Sequence, residues 1–129
     1  MASYKILLVD DDQNLRMSLS TVFTSLGFTV FEAPDGKSGV DIANEQKPDA
    51  IILDIKMPVM DGLTALSYLK KNPTLQQIPV FMLTNAQDEI SHAVENGAEE
   101  GILKTTINPT QMATALINFL RACSKSFQQ

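Results

Sequence analysis

With 129 residues, 44% of them apolar and 19% charged, the chain is long enough to bury a core without metal or disulfide staples and has the composition of a soluble globular protein. Its net charge of −5 argues against the basic footprint of a nucleic-acid binder, and no apolar run approaches the roughly 20 residues of a membrane span or makes a signal peptide of MASYKILLVDDD. The single cysteine, Cys123, rules out a disulfide framework within the chain, fits a reducing cytoplasm, and reads as a packed apolar residue rather than a reactive thiol.

Two periods alternate along the chain. The first apolar run, residues 6–9, passes into Asp10-Asp11-Asp12. A helical stripe of Leu15, Leu19, Val22, Phe23 and Leu26 follows, with Asp12 read as its N-cap and Gly27 as its stop. The second run, 30–33, ends in Ala33-Pro34, which carries no reactive group, and Val40 and Ala43 mark a short helix after Gly36. The third run, 50–53, ends at Asp54; Leu63, Leu66 and Leu69 form the next helix, closed by Asn72-Pro73. The fourth, 80–83, ends at Thr84 and leads to Ile90, Ala93 and Val94, with Gly97 as the stop. The fifth, 102–103, runs into Lys104. The last helix has Asn108 as cap, Pro109 at its first position and Gln111 as capping-box partner; Met112, Leu116, Phe119, Leu120 and Cys123 share one face.

The apolar runs lack polar alternation, which predicts strands covered on both faces, as in a parallel sheet. Five strands each followed by a helix predict an α/β fold: a (βα)5 doubly wound, five-stranded parallel sheet between two helical layers. No repeat, linker or low-complexity run divides the chain, so a single domain spanning 1–129 is expected, with a core of about 5–123 and a frayed tail at 124–129.

In open parallel sheets ligands gather beyond the carboxyl ends of the strands. Four of those ends here deliver Asp10 and Asp11, Asp54, Thr84 and Lys104. Carboxylates that share a pocket repel unless a cation neutralises them, and an oxygen-only, partly hydrated ligand set suits magnesium. A carboxylate such as Asp54 can attack phosphorus to give an acyl phosphate. Lys104 and the metal would neutralise charge on the phosphoryl oxygens, and Thr84 can donate a hydrogen bond to the attached group. Singly, each residue has a plainer reading as a loop acid, a strand-end hydroxyl or a solvated lysine; their convergence favours chemistry.

The segments ILLVDDD, IILDIKMPVMDG, FMLTNA and NGAEEGILK resemble the receiver domain of two-component response regulators, over about residues 5–120 and most specifically in DIKMPVMDG. The resemblance implies a flavodoxin-like receiver fold of the single-domain, chemotaxis-regulator type. By position it implies Asp54 as phospho-acceptor, Asp11 as a direct Mg2+ ligand, Asp10 as a ligand largely through water, and the Lys56 carbonyl as a further ligand. It makes Thr84 the switch hydroxyl and Lys104 the phosphate-binding lysine; Pro58 and Gly62 would shape the loop above Asp54, with Met57 packing inward. The implied donor is a histidine kinase or a histidine phosphotransfer protein, docking near Arg16 and the loop before the last helix. The expected output is contact of a monomer with a downstream protein target in the cytoplasm, with no nucleic acid and no membrane. The only catalysis expected is of its own phosphorylation and dephosphorylation.

Three positions depart from the family pattern: Thr105 for the proline after Lys104, Gly101 for the aromatic three residues before it, and Asn85 for the small residue after Thr84. The bond between Lys104 and Thr105 is expected to be trans. Gly101 is expected to leave the fourth helix with less to pack against, concentrating switching in residues 85–97. Two rivals share parts of the pattern. An aspartyl phosphatase of the haloacid dehalogenase type would carry an acid where Lys56 stands, and hydrolysis of a generic ester would reveal it. A flavin module would want a hydroxyl-rich phosphate loop in place of three acids, and colour would reveal it. A third, a receiver serving as an unphosphorylated scaffold, sits poorly with a complete acid pocket.

Overall fold

The computed structural model of the chain describes residues 4–85, 87–104 and 108–127. The elements alternate as β1 (Lys5–Val9), α1 (Gln13–Ser25), β2 (Thr29–Ala33), α2 (Gly36–Gln46), β3 (Ala50–Asp54), α3 (Gly62–Lys71), β4 (Val80–Thr84), α4 (Gln87–Glu95), β5 (Glu100–Leu103) and α5 (Pro109–Phe127). All neighbouring strands pair in parallel, in the order β2-β1-β3-β4-β5. This is the expected (βα)5 arrangement, the flavodoxin-like receiver fold.

The continuous apolar runs are explained by a core on each side of the sheet. Leu7, Val9, Ile51, Leu53 and Met82 pack with Leu66, Leu69 and Ala93 of α3 and α4. Their strand neighbours Ile6, Leu8, Ile52 and Leu83 pack on the opposite side with Leu19 and Phe23 of α1 and Leu116 and Leu120 of α5. Each fully buried Leu or Ile side chain contributes roughly 2 kcal/mol over an exposed one, so a polar substitution in β3 would cost whichever layer that side chain faces: Ile51 and Leu53 one, Ile52 the other. Burial on both faces holds for the central strands only. At the sheet edges, β2 and β5 are half-buried because each has a strand on one side alone.

Short polar side chains start the helices as the sequence suggests. Asp12 accepts from the Leu15 amide at 3.1 Å, and Asn108 accepts from the Gln111 amide at 3.1 Å. Asp35 and Asp61 do the same for Ser38 and Thr64, each at 2.8 Å. Two stripe residues point outward: Leu26 is the exposed C-cap of α1, and Val94 is exposed on α4. The backbone of α5 stays helical through Phe127, past the last patterned residue Cys123, as each residue added to a nucleated helix gains one backbone hydrogen bond. Among the described residues no helix is long and apolar enough to cross a membrane.

In this strand order the chain leaves β1 toward β2 on one side and returns to β3 on the other. The helical connections therefore part above the carboxyl ends of β1 and β3 and open a crevice there.

Candidate functional site

The crevice is a cleft of about 290 Å³ lined by Asp11, Asp12, Asp54, Lys56, Thr84, Asn85 and Lys104. Register explains the convergence. Val9 lies opposite Leu53 in the β1–β3 pair, so Asp10 and Asp54, the next residues along, leave the sheet side by side. Thr84 of β4 pairs with Leu103 of β5, which puts Lys104 at the same rim. Four strand ends thus supply the five residues expected from the sequence.

Asp10 and Asp54 are 2% and 3% exposed, while Asp11 is open to solvent. One carboxylate oxygen from each of the three lies within 4.8 Å of the others. Lys104 Nζ stands 2.9 Å from Asp54 Oδ2, 3.2 Å from Asp10 Oδ2 and 3.3 Å from Asp10 Oδ1. Burial lifts Asp54 from the ordinary carboxylate range to about 6; the hydrogen bond from Lys104 opposes the rise, and the charge of Asp10 adds to it. Burial alone would lower the Lys104 ammonium, but the hydrogen bond to Asp54 and the charge of Asp10 outweigh it and hold that group above its usual value.

The donor set fits a hard divalent cation. Three carboxylates face one lysine that pairs, among the described residues, with Asp10 and Asp54 but not with Asp11. Asp10 Oδ2 is shut from solvent and accepts no hydrogen bond of good geometry, whereas Oδ1 accepts from the Asp12 amide at 2.9 Å. A buried, under-coordinated carboxylate oxygen beside two further acids is the kind of ligand magnesium takes, with water and phosphate completing its shell.

The loop after β3 brings α3 in beneath Asp54. The Gly62 amide donates to the Ile55 carbonyl at 2.7 Å, and a Cβ on Gly62 would lie 2.0 Å from the Asp54 carbonyl oxygen, so only glycine allows this approach. Between them the Met60 amide donates to the Pro58 carbonyl at 2.7 Å around Val59, whose φ is +67°. Met57 packs inward, half-buried, against the α3 side of the core.

Three contacts had no signal in the sequence. The Thr84 hydroxyl donates to Glu89 Oε1 of α4 at 2.7 Å. Arg16 turns inward: Nη1 donates to the Asp10 carbonyl at 2.5 Å, and Nε pairs with Glu32 at 3.2 Å, so much of its hydrogen-bonding capacity is committed to the chain itself. Ile90 fills the space above Gly101, where a Cβ would come within 2.7 Å of Ile90 Cγ2. The expectation that Gly101 leaves α4 with less to pack against is therefore not met, because the helix brings its own β-branched side chain into the gap. The Lys104–Thr105 bond and the loop before α5 lie outside the described residues.

Residues 6–117 match the family described as the response regulator receiver domain. Sporulation initiation phosphotransferase F of Bacillus subtilis is 34% identical over 98 residues, which cover 76% of this chain and 79% of that protein. The probable transcriptional regulator ycf27 of Guillardia theta is 30% identical over 125 residues, 95% of this chain and 47% of that protein; the chain spans about half the length of such relatives. A chain of the CheX-CheY-BeF3-Mg complex of Borrelia burgdorferi superposes with a TM-score of 0.80 at 26% identity, covering 90% of this chain and 88% of that one. Fold, matched family and relatives agree: the chain belongs to the response regulator receiver family, whose members act as phosphoacceptors in two-component phosphorelays.

Proposed function

We propose that Asp54 is the phospho-acceptor of this receiver domain, and that residues 5–123 form the core of one domain. The observation that carries the reading is the Lys104 ammonium held between Asp54 and Asp10 at the switch point of the sheet. An Asp54 oxygen attacks the phosphorus of a phosphohistidine; the P–O bond forms as the P–N bond breaks, and the electron pair leaves on the imidazole nitrogen. With its titration raised to about 6, Asp54 is ionised at neutral pH and is still a better nucleophile than an ordinary exposed carboxylate. Lys104 neutralises an oxygen of the group in transfer, and the Thr84 hydroxyl donates to the attached phosphoryl. Asp10, Asp11 and Asp54, with the Lys56 carbonyl, would hold magnesium, which when bound supplies positive charge to the phosphoryl oxygens. Asp10 is kept in place by the Arg16 and Asp12 contacts on its backbone and side chain.

The donor is then a histidine kinase or histidine phosphotransfer protein, and the output is contact of a cytoplasmic monomer with a protein target rather than DNA binding, in keeping with the net charge of −5. Mass spectrometry after incubation with acetyl phosphate and magnesium tests the reading. One phosphoryl group is expected on wild type and none on Asp54→Asn or without the metal; labelling undiminished in the variant rejects Asp54.

A further inference from the structure

The Thr84 hydroxyl, which the proposed function needs at the phosphoryl group, is already engaged by a carboxylate of the neighbouring helix. Thr84 is buried at the end of β4, and its Oγ1 donates to Glu89 Oε1 at 2.7 Å. A hydroxyl has one proton, so it cannot donate to Glu89 and to a phosphoryl oxygen at once. The next residue, Ile90, sits directly over Gly101 of β5. Glu89 and Ile90 thus fasten the first turns of α4 at two adjacent points, one polar on β4 and one apolar on β5.

We propose that Glu89 is a positioning residue that acts through Thr84: it holds the switch hydroxyl on α4, and a phosphoryl group on Asp54 must take that hydroxyl from it. The inference rests on Asp54 being the acceptor. Once Thr84 turns to the phosphoryl group, Glu89 loses its donor while a doubly negative group arrives beside it, so both terms push the start of α4 away from the cleft. Ile90 moves with the same turn and uncovers Gly101. A small, local exchange of hydrogen-bond partners therefore becomes a displacement of a helix, without any aromatic side chain on β5. The same exchange restrains phosphorylation, because part of the free energy of the new hydrogen bond goes into breaking the old one.

The test is beryllofluoride affinity, measured with magnesium present, in a double-mutant cycle. Glu89→Ala is expected to tighten binding about fivefold to tenfold, the size of one ordinary net hydrogen bond. In the Thr84→Ala background the same substitution should change affinity by less than about twofold, and Thr84→Ser, which keeps the hydroxyl, should restore the gain. A gain of equal size with and without the hydroxyl would mean that Glu89 acts only through its charge, and would overturn the proposal, as would no gain at all. Failure of wild type to bind beryllofluoride would instead reject Asp54 as acceptor and the restraint with it. Amide hydrogen exchange in magnesium-free buffer gives a second readout: exchange across α4 should rise in both Glu89→Ala and Thr84→Ala, and the double variant should exchange no faster than either. Unchanged exchange in both single variants would also overturn the proposal.

Discussion

The Lys104 ammonium stands 2.9 Å from Asp54 Oδ2, yet Asp54 titrates at about 6. A lysine so close would by itself hold a carboxylate below its usual range. Burial at the end of a central strand outweighs it, with the Asp10 charge on the same side of the balance.

That imbalance predicts how stability depends on pH without metal. Asp54 titrates near 3.8 when unperturbed and about 6 in the fold, so between those values the native state keeps a proton that the unfolded chain has released. Its contribution is full below about pH 4, falls as pH rises, and is gone above about pH 6, a loss on the order of 3 kcal/mol. Asp54→Asn, with no charge to bury, should therefore be more stable than wild type at pH 7.5 in chelator, by about 2 kcal/mol, and the advantage should shrink toward pH 4.5. Urea unfolding at both pH values checks this. An Asn variant less stable than wild type at pH 7.5 would mean that the Lys104 pairing dominates after all.

Magnesium should reverse that order. At about 100 times its dissociation constant a ligand bound only by the native state stabilises by roughly 2.7 kcal/mol, and the metal should raise the midpoint of wild type. Asp10→Asn and Asp11→Asn should each abolish most of the rise. Lys56→Ala should retain it, because the ligand expected from that residue is its carbonyl. Thermal melts with and without magnesium measure all four proteins; a rise in Asp11→Asn equal to wild type would remove that residue from the metal site.

What the residues disclose before folding follows from range. Asp10, Asp54, Thr84 and Lys104 are legible because each directly follows an apolar run, and parallel strands send their ends to one rim. The caps at Asp12 and Asn108 are legible because a cap acts within three residues. Glu89 on Thr84, Arg16 on the Asp10 carbonyl and Ile90 over Gly101 are not, since each depends on how a helix sits on its strand at a resolution below one helical turn. Gly101 shows the limit clearly: an absent side chain reads as lost packing until the neighbouring helix is seen to occupy the space.

Val59 should be the easiest position at which to gain stability. Its φ of +67° is costly for a β-branched residue, and at 81% exposure its side chain gives little packing in return. Val59→Gly removes a strain of roughly 1–2 kcal/mol and adds a smaller entropic cost in the unfolded chain. A net gain of up to about 1 kcal/mol is expected in urea unfolding, with acetyl phosphate labelling retained. Destabilisation would show that the Val59 side chain packs in a way its exposure does not suggest.

Gly101→Ala should couple tightly to Ile90. An added Cβ would lie 2.7 Å from Ile90 Cγ2, 2.9 Å from Cγ1 and 3.0 Å from Cβ, all closer than carbon atoms approach without displacement. Isoleucine in a helix has one strongly preferred rotamer, so the side chain cannot swing clear, and the first turns of α4 must shift instead. Overpacking of this kind costs about 1–3 kcal/mol. Ile90→Ala alone loses buried surface, but it also vacates the space that the alanine needs. In that background Gly101→Ala should cost nothing and gain a few tenths of a kcal/mol, since glycine in a strand is itself unfavourable by about 0.5 kcal/mol or more. The cycle should thus show an interaction energy of at least about 1 kcal/mol in urea unfolding. Independent, additive effects would mean that α4 already stands free of β5, and would leave Glu89 as its tie to the sheet at that end. Because the shifted turn also carries Glu89, Gly101→Ala should loosen the Thr84 hydrogen bond and tighten beryllofluoride binding in the same direction as Glu89→Ala. A Gly101→Ala protein that is destabilised but binds the mimic as wild type does would separate the packing of α4 from the position of the switch hydroxyl.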